Sequence, residues 1–364
     1  MSKIKILFCS EYYYPNLGGV QNHIRLITKY LPKNKFNIEI ATSCDSRRKK
    51  KIIDGNKINE FKIQGNLVQG YKGKIREYQD FLLKKKFDII FFYAAQQWSF
   101  DLSLPIIEKI HAKKIFCPCG FSKLKNLFYY PYFFLLKEKI NQYDRLIFFS
   151  KSYQDYKLFK KIYNKKIKII PNAGIKNKEK INTKKNSKRK DFLKILNVGK
   201  ISIMKNQLYL LLAVLFIKRK LEINFYYNNN TFFSKIVILI GKLVEKIRNK
   251  KLFINFYYNS NENKIIKSYQ ESDLFAFTSL VECSPLVIYD AAVNSLPFIS
   301  RSVGNVSEIA RKSKIGKIYK NIFHLINLIN NFKITKKKNP TYDFEWKKQL
   351  EKYKREFLSI SQSN

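Results

Sequence analysis

The stretch Phe277-Thr-Ser-Leu-Val-Glu282-Cys-Ser-Pro285-Leu-Val-Ile-Tyr-Asp290-Ala-Ala-Val-Asn-Ser-Leu-Pro297-Phe-Ile-Ser300 decides the fold. It reads as a strand ending near Thr278, a loop holding Glu282, a helix opened by Pro285, and a new strand from Pro297. A proline in the first helical turn loses nothing, because its missing N–H would have had no partner there. Strand, helix and strand in such close succession make a βαβ unit, whose two strands lie parallel. The helix start offers free amides from Ser284, Leu286 and Val287 beside the Glu282 carboxylate. Acid is scarce in this chain, with 27 Asp and Glu against 71 Lys and Arg. A Glu and an Asp flanking one helix start among small and apolar residues therefore read as functional.

Outward from this stretch the same rhythm repeats. Short runs rich in Ile, Phe and Tyr predict strands at Ile4–Cys9, Phe36–Thr42, Phe87–Tyr93, Lys114–Cys117, Arg145–Ser150 and Lys166–Ile170. A Lys-rich stretch without apolar periodicity, Lys176–Lys190, reads as a solvated linker. A second series then predicts strands at Leu193–Val198, Glu222–Tyr227, Leu252–Phe256, Leu274–Thr278, Pro297–Ser300 and Gly316–Tyr319. The expectation is an α/β chain of two Rossmann-like, doubly wound parallel-sheet domains, residues 1–172 and 173–340, facing across a cleft. A last segment, 341–364, carries Phe344, Trp346, Leu350, Tyr353 and Phe357 at helical spacing, enough to cover an apolar groove. Ligands of such sheets bind at the carboxyl ends of the strands, so chemistry is expected in the strand-to-helix loops.

With 364 residues the chain has length for two domains, and its 45% hydrophobic and 15% aromatic content excludes a disordered chain. The net charge of +44 has two readings. It attracts polyanions such as phosphorylated substrates, nucleic acid or anionic lipid, or it is compositional, since Lys rises together with Asn, Ile, Tyr and Phe, all encoded by A/T-rich codons. Five cysteines, Cys9, Cys44, Cys117, Cys119 and Cys283, show neither disulfide nor zinc spacing, so no metal is expected. Met1–Cys9 runs straight into an apolar strand, so no signal peptide is expected there, and no apolar run reaches the roughly 18 residues that a membrane span requires. The expected place is the cytoplasm, with room for peripheral attachment to the inner face of the plasma membrane.

Two further loops carry candidate chemistry. The first strand leads to Gly18-Gly19 ahead of a helix with apolar face Val20, Ile24, Ile27 and Leu31, where backbone can approach an anion at a helix N-terminus. A plain turn is the competing reading. In Val198-Gly-Lys200-Ile-Ser-Ile-Met-Lys205-Asn206, two cations at the carboxyl end of a strand suit a departing diphosphate, against surface decoration in a lysine-rich chain.

The segment from Phe277 resembles the E-x7-E region of glycosyltransferase family 4, including the trailing Ala291-Ala292, Leu296-Pro297 and the later Val303-Gly-Asn-Val-Ser-Glu-Ile309. Gly18-Gly-Val-Gln-Asn-His23 resembles that family's glycine loop, and Ile170-Pro-Asn-Ala-Gly174 resembles the segment that ends its first lobe. Val198–Asn206 resembles its G-R-x4-K motif, and Tyr342–Trp346 the start of its final crossing helix. The resemblance implies a GT-B fold and retaining, metal-independent sugar transfer from a nucleoside-diphosphate donor, a substrate rather than a cofactor. It implies a glycan or lipid-linked acceptor in bacterial surface polysaccharide or lipopolysaccharide synthesis. It implies that Gly18, Gly19, Lys200 and Lys205 hold the diphosphate and Glu282 the transferred sugar. The backbone from Ser284 through Pro285 and Leu286 to Val287 would bind phosphate or sugar, by the amides of Ser284, Leu286 and Val287, and Asp290 the ribose. The leaving phosphate would help deprotonate the acceptor, so that catalysis is positioning and charge stabilisation.

Three positions depart from the family pattern. Lys200 stands for Arg and loses the bidentate fork; Asp290 stands for Glu and is one methylene shorter; Cys119 before Gly120 stands for His. Cys119 and Gly120 are then acceptor or sugar contacts through backbone, and His23 is either such a contact or a helix residue packed inside. His111 and His324 have no evident partners. The run Leu127–Leu136, flanked by Lys123, Lys125, Lys137 and Lys139, is either a core helix broken at Pro131 or a segment dipping into an anionic membrane surface. The rival readings are a non-catalytic or weakened GT-B subunit, a sugar-nucleotide epimerase and a basic nucleic-acid-binding protein. The last lacks any helix-turn-helix, zinc-finger or RNP pattern, so no specific nucleic-acid partner is expected.

Overall fold

Apolar runs become buried strands in the computed structural model, which describes residues 2–16, 18–121, 124, 126–176, 191–334 and 344–362. Most of the expected linker, from residue 177 to 190, lies outside the described residues, as do Lys123, Lys125, Tyr342 and Asp343. The chain forms two compact units, Met1–Pro171 with Lys347–Asn364, and Asn172–Trp346.

The first unit has strands β1 (Ile4–Cys9), β2 (Phe36–Ser43), β3 (Ile52–Ile53), β4 (Asn56–Phe61), β5 (Ile63–Asn66), β6 (Gly70–Gly73), β7 (Ile89–Tyr93), β8 (Lys113–Cys117), β9 (Arg145–Phe148) and β10 (Ile167–Ile169). Between them lie α1 (Gly19–Tyr30), α2 (Ile75–Lys84), α3 (Trp98–Asp101), α4 (Tyr130–Lys139) and α5 (Gln154–Phe159). The main sheet runs β10-β9-β8-β7-β1-β2-β4-β3, parallel except for β3, and β5 pairs with β6 in a separate hairpin. Strand β7 is buried along its whole length, as expected of a central parallel strand covered on both faces. The sequence reading missed β3 to β6, whose residues lack a sustained apolar run. One signal was present: Asp54 (φ 48°) and Gly55 (φ 72°) form the two-residue connection between antiparallel β3 and β4, and an Asp-Gly pair favours that left-handed hairpin turn.

The second unit has β11 (Leu193–Val198), β12 (Leu221–Tyr227), β13 (Leu252–Tyr258), β14 (Leu274–Phe277), β15 (Phe298–Arg301) and β16 (Gly316–Tyr319). Its helices are α6 (Gln207–Phe216), α7 (Phe232–Arg248), α8 (Glu262–Glu271), α9 (Leu286–Val293), α10 (Val306–Ser313) and α11 (Ile322–Asn330). All six strands are parallel in the order β13-β12-β11-β14-β15-β16, the third-second-first-fourth-fifth-sixth arrangement of a Rossmann sheet. Residues alternate between its two faces. Ile195 and Ala276 pack under α6, α7 and α11 with Leu211, Val237 and Leu325, while Leu196 and Phe277 pack under α8 to α10 with Tyr269, Ile288 and Ile309. The expected fold class is thus observed, two parallel-sheet Rossmann-like units.

Helix α12 (Trp346–Ser361) contributes to the first unit from Lys347 onward. Its Phe357 ring meets those of Phe8, Phe36 and Phe91 at 5.9, 6.2 and 5.8 Å between centroids. Beside it the buried Glu356 carboxylate pairs with the Arg145 guanidinium and the Lys168 ammonium. Desolvation of that acid is offset by two cations, the condition under which a buried charge is tolerated.

Candidate functional site

Strands β11 and β14 are neighbours in the sheet, and the order reverses between them, so their carboxyl-end loops part around a crevice. The β11 loop turns at Gly199 (φ 152°), whose N–H donates to the Tyr226 carbonyl at 3.0 Å. Asn229 pins the loop twice, accepting from the Ile201 N–H at 2.7 Å and donating to its carbonyl at 2.8 Å. A turn closed by the Lys205 and Asn206 amides on the Ser202 carbonyl, at 3.1 and 2.9 Å, carries the chain into α6. The β14 loop is tied to the same turn. Thr278 donates its hydroxyl to the Lys205 carbonyl at 3.1 Å, and the Leu280 N–H donates to Met204 at 2.8 Å.

These backbone ties bring Lys205 and Glu282 together, 77 residues apart in sequence. The Lys205 ammonium pairs with the Glu282 carboxylate, and the Ser279 hydroxyl donates to the same oxygen at 2.6 Å. The ammonium also lies 6.0 Å from the Phe277 ring centroid. Their side chains are 32% and 12% exposed, so both charges are partly desolvated. Lys200, the other expected cation, is exposed on the same loop, and its carbonyl accepts from the Gln207 side chain at 3.0 Å.

Helix α9 begins one residue later than the sequence suggests. Pro285 is extended (φ −72°, ψ 116°) and stands just ahead of Leu286, the first helical residue. Val287 follows in the first turn. Ser284 is buried in a polar cluster: Asn305 donates to its hydroxyl at 3.1 Å and to the Tyr289 hydroxyl at 2.8 Å, while Asn172 donates to its carbonyl at 2.7 Å. Gly304 (φ 55°) lies against this loop so closely that a Cβ there would come within 2.3 Å of the Cys283 carbonyl oxygen. Sequence reasoning singled out none of Ser279, Tyr289 and Asn305 as site residues. The hydroxyls next to Thr278 were a signal for Ser279; the others are joined only by the fold.

Asp290 points away from α9's first turn. Its carboxylate accepts from the Ile175 N–H at 2.8 Å, and Asn294 donates to the Ile175 carbonyl at 2.8 Å, so this part of α9 holds the chain segment that enters the second unit. The residue is half-buried but its carboxyl group is enclosed, and loss of solvent pushes it up to about 7 despite the Ile175 donor.

In the first unit, Gly18 and Gly19 open α1, with the Asn22 N–H donating to the Gly18 carbonyl at 2.9 Å. His23 lies one turn on and is 1% exposed, held by the Tyr93 hydroxyl at Nδ1 and by the rings of Tyr93, Phe149 and Tyr353 at 5.2, 5.2 and 5.8 Å. Burial drives its pKa down to about 3, so the ring is neutral and works as an internal packing group. Cys119 (φ 60°) is left-handed, with its sulfur 3.8 Å from that of Cys117. The Gly120 N–H donates to the buried Asp155 carboxylate at 2.9 Å, which burial raises to about 6. Ala94 and Gln96, after β7, are also left-handed at φ 67° and 61°. Such strained backbone collects at ligand sites, and here it marks the carboxyl ends of β7 and β8.

The aromatic run divides. Tyr129, Tyr132, Phe133 and Leu136 are buried, whereas Leu127, Phe128, Tyr130 and Phe134 are 86, 84, 71 and 58% exposed. Pro131 stands in the first turn of α4 and starts the helix instead of breaking it. Among the described residues, no group of three or more His, Cys, Asp or Glu could hold a metal ion, and no helix is long and apolar enough to cross a membrane.

Residues 178–339 match the family model described as glycosyl transferases group 1. No curated protein matches the sequence. Solved structures match over nearly the whole chain. Sucrose-phosphate synthase from Thermosynechococcus elongatus is 13% identical, covers 98% of this chain and 99% of its own, and superposes with a TM-score of 0.75. Anabaena HepE in complex with UDP and glucose is 15% identical over 98% and 100%, with a TM-score of 0.72. WaaG, a glycosyltransferase involved in lipopolysaccharide biosynthesis, is 13% identical over 98% and 94%, with a TM-score of 0.64. At these identities the likeness establishes the fold: the chain has the GT-B fold of two Rossmann-like units, and its second half is what resembles the group 1 glycosyl transferases.

Proposed function

We propose that this chain is a retaining glycosyltransferase that moves a sugar from a nucleoside-diphosphate donor onto a glycan or lipid-linked acceptor of a bacterial surface polysaccharide or lipopolysaccharide. The observation that carries the reading is the meeting of Lys205 and Glu282 at the switch point of the second sheet. A cation held there by backbone ties meets charge that grows on a departing diphosphate, with little reorganisation at the moment of reaction. Lys200, exposed on the same loop, adds a second positive group. Glu282, oriented by Ser279, would accept hydrogen bonds from hydroxyls of the transferred sugar, and amides at the start of α9 would face the phosphate or sugar. Gly18 and Gly19 would let α1's N-terminus approach the diphosphate, and Cys119 with Gly120 would contact sugar or acceptor through backbone. In this mechanism the leaving phosphate takes the acceptor proton, and no protein nucleophile is needed. HepE, solved with UDP and with UDP-glucose, supports a donor of this class, and WaaG supports an envelope acceptor.

A thermal-shift screen with nucleoside-diphosphate sugars tests the reading, because a ligand that binds only the native state raises its melting temperature. One base and sugar combination should stabilise the protein, and Lys205→Ala should abolish the shift. Absence of any shift across uridine, guanosine, adenosine and thymidine diphosphate sugars would sink the donor assignment. A weakened or non-catalytic subunit is the second reading, favoured by the Asp290 carboxylate, which is turned to the Ile175 N–H. That subunit would bind donor without turning it over.

A further inference from the structure

Helix α7 carries an apolar stripe on its outer side. Phe232, Leu239, Leu243 and Ile247 recur at seven, four and four residues, so they stack along one face for about 22 Å at 1.5 Å per residue. They are 81, 59, 52 and 71% exposed. The stripe is not a frayed end: a reciprocal Thr231–Ser234 capping box fixes the helix start, and Val237, Gly241 and Val244 seat the opposite face on the sheet. The neighbouring α6 packs against α7 and has no charged residue, and it exposes Leu212 and Phe216 at 49 and 63%. Isolated exposed apolar residues are ordinary, but a stripe along a whole helix face, with further apolar side chains exposed on the helix packed beside it, marks an interaction surface.

Charge selects the occupant. Lys235, Lys242 and Lys246 are exposed along one border of the stripe, spaced as the apolar residues are, and the single acid of α7, Glu245, is half-buried off that border. A second copy of the chain would bring another +44 against the first, which opposes self-association. An apolar face edged by lysines matches an anionic bilayer, whose headgroups meet the ammonium groups while its acyl boundary receives the aliphatic chains. We propose that the α7–α6 face of the second unit docks on an anionic lipid bilayer. The surface is separate from the Lys205–Glu282 site, and the inference stands whether or not the acceptor is lipid-linked.

Co-sedimentation of the full chain with phosphatidylglycerol and phosphatidylcholine vesicles tests it. Binding should require phosphatidylglycerol and weaken as salt rises. Leu239→Ser with Leu243→Ser, which leaves charge unchanged, should weaken binding about tenfold or more while thermal melting is preserved. In Phe232→Trp the new indole emission should shift to the blue when vesicles are added, and this shift should persist in Phe128→Ser with Phe134→Ser, which alters only exposed residues in α4 and the turn before it. Three results would each overturn the proposal: no binding by the unaltered chain, equal binding by the Leu239/Leu243 variant, or binding abolished by the Phe128/Phe134 variant alone. A concentration-dependent dimer that the Leu239/Leu243 variant dissociates, without lipid binding, would assign the face to a second copy. Sugar turnover on a water-soluble acceptor reads the enzymatic reading independently.

Discussion

Lys205 and Glu282 sit where neither bulk water nor a dry core sets their energetics, at 32 and 12% exposure. Removing the ammonium leaves Glu282 with the Ser279 hydroxyl, and removing the carboxylate leaves Lys205 over the Phe277 ring. On the proposed function both losses would weaken the hold on the donor and on the charge it gathers in the transition state, so Lys205→Ala and Glu282→Ala should each lower turnover by about 10²-fold or more while circular dichroism and melting without ligand stay close to the parent. Near-normal activity in both variants would refute the site. Gly304 shapes the loop that holds Glu282: an alanine there would carry a Cβ into the Cys283 carbonyl at a left-handed φ, and should destabilise the chain by about 1–3 kcal/mol and lower activity with it. Asp290 gives a pH test. Its folded pKa, about 7, lies above the ordinary carboxyl value of about 3.9, so the native state holds the extra proton. The stability it adds is full below about pH 4 and is lost as pH rises towards about 7. Asp290→Asn keeps an acceptor for the Ile175 N–H and cannot ionise, so its melting temperature should fall less over that window than the parent's. Equal slopes would remove the assignment. At this scale the loops were legible in sequence, because a charge at the end of a buried strand is conspicuous. The Ser284–Tyr289–Asn305 cluster was not, since a hydrogen bond spanning 21 residues leaves no local pattern.

Among the elements, the central strands were readable because a parallel strand covered on both faces must be apolar throughout, and Ile89–Tyr93 and Leu274–Phe277 are. The edge strand Ile52–Ile53 is too short to show a period, and the hairpin Ile63–Asn66 with Gly70–Gly73 has exposed positions and carries polar residues, so periodicity fails at both. Pro285 shows the limit on boundaries, for the same residue can stand just inside a helix or just before it. Helix α12 holds much of the first unit's packing in one residue. Phe357→Ala should cost about 3–5 kcal/mol, the usual range for an enclosed aromatic, and urea denaturation would measure it. Glu356→Ala should destabilise by a comparable amount, since it leaves the Arg145 guanidinium buried without its carboxylate.

Across the whole molecule, 71 basic side chains repel one another in the native state, and the ion pairs formed by 27 acids cannot balance them. Screening shortens the reach of that repulsion from about 30 Å at 0.01 M salt to about 8 Å at 0.15 M. The melting temperature should therefore climb by several degrees on adding sodium chloride across that interval, and a flat response would show that the lysines are too widely spaced to matter. The chain's order of assembly follows from where its units begin and end. The first unit opens with β1 yet draws Tyr353, Phe357 and Ile360 from α12, so its hydrophobic interior has a gap until residues beyond 346 exist. The second unit, by contrast, is contiguous from Asn172 to Trp346. During synthesis the earlier half therefore emerges with its aromatic floor uncovered and waits for α12. The part made first thus depends on the part made last, and until the two meet its exposed aromatic rings are the surface a chaperone would cover.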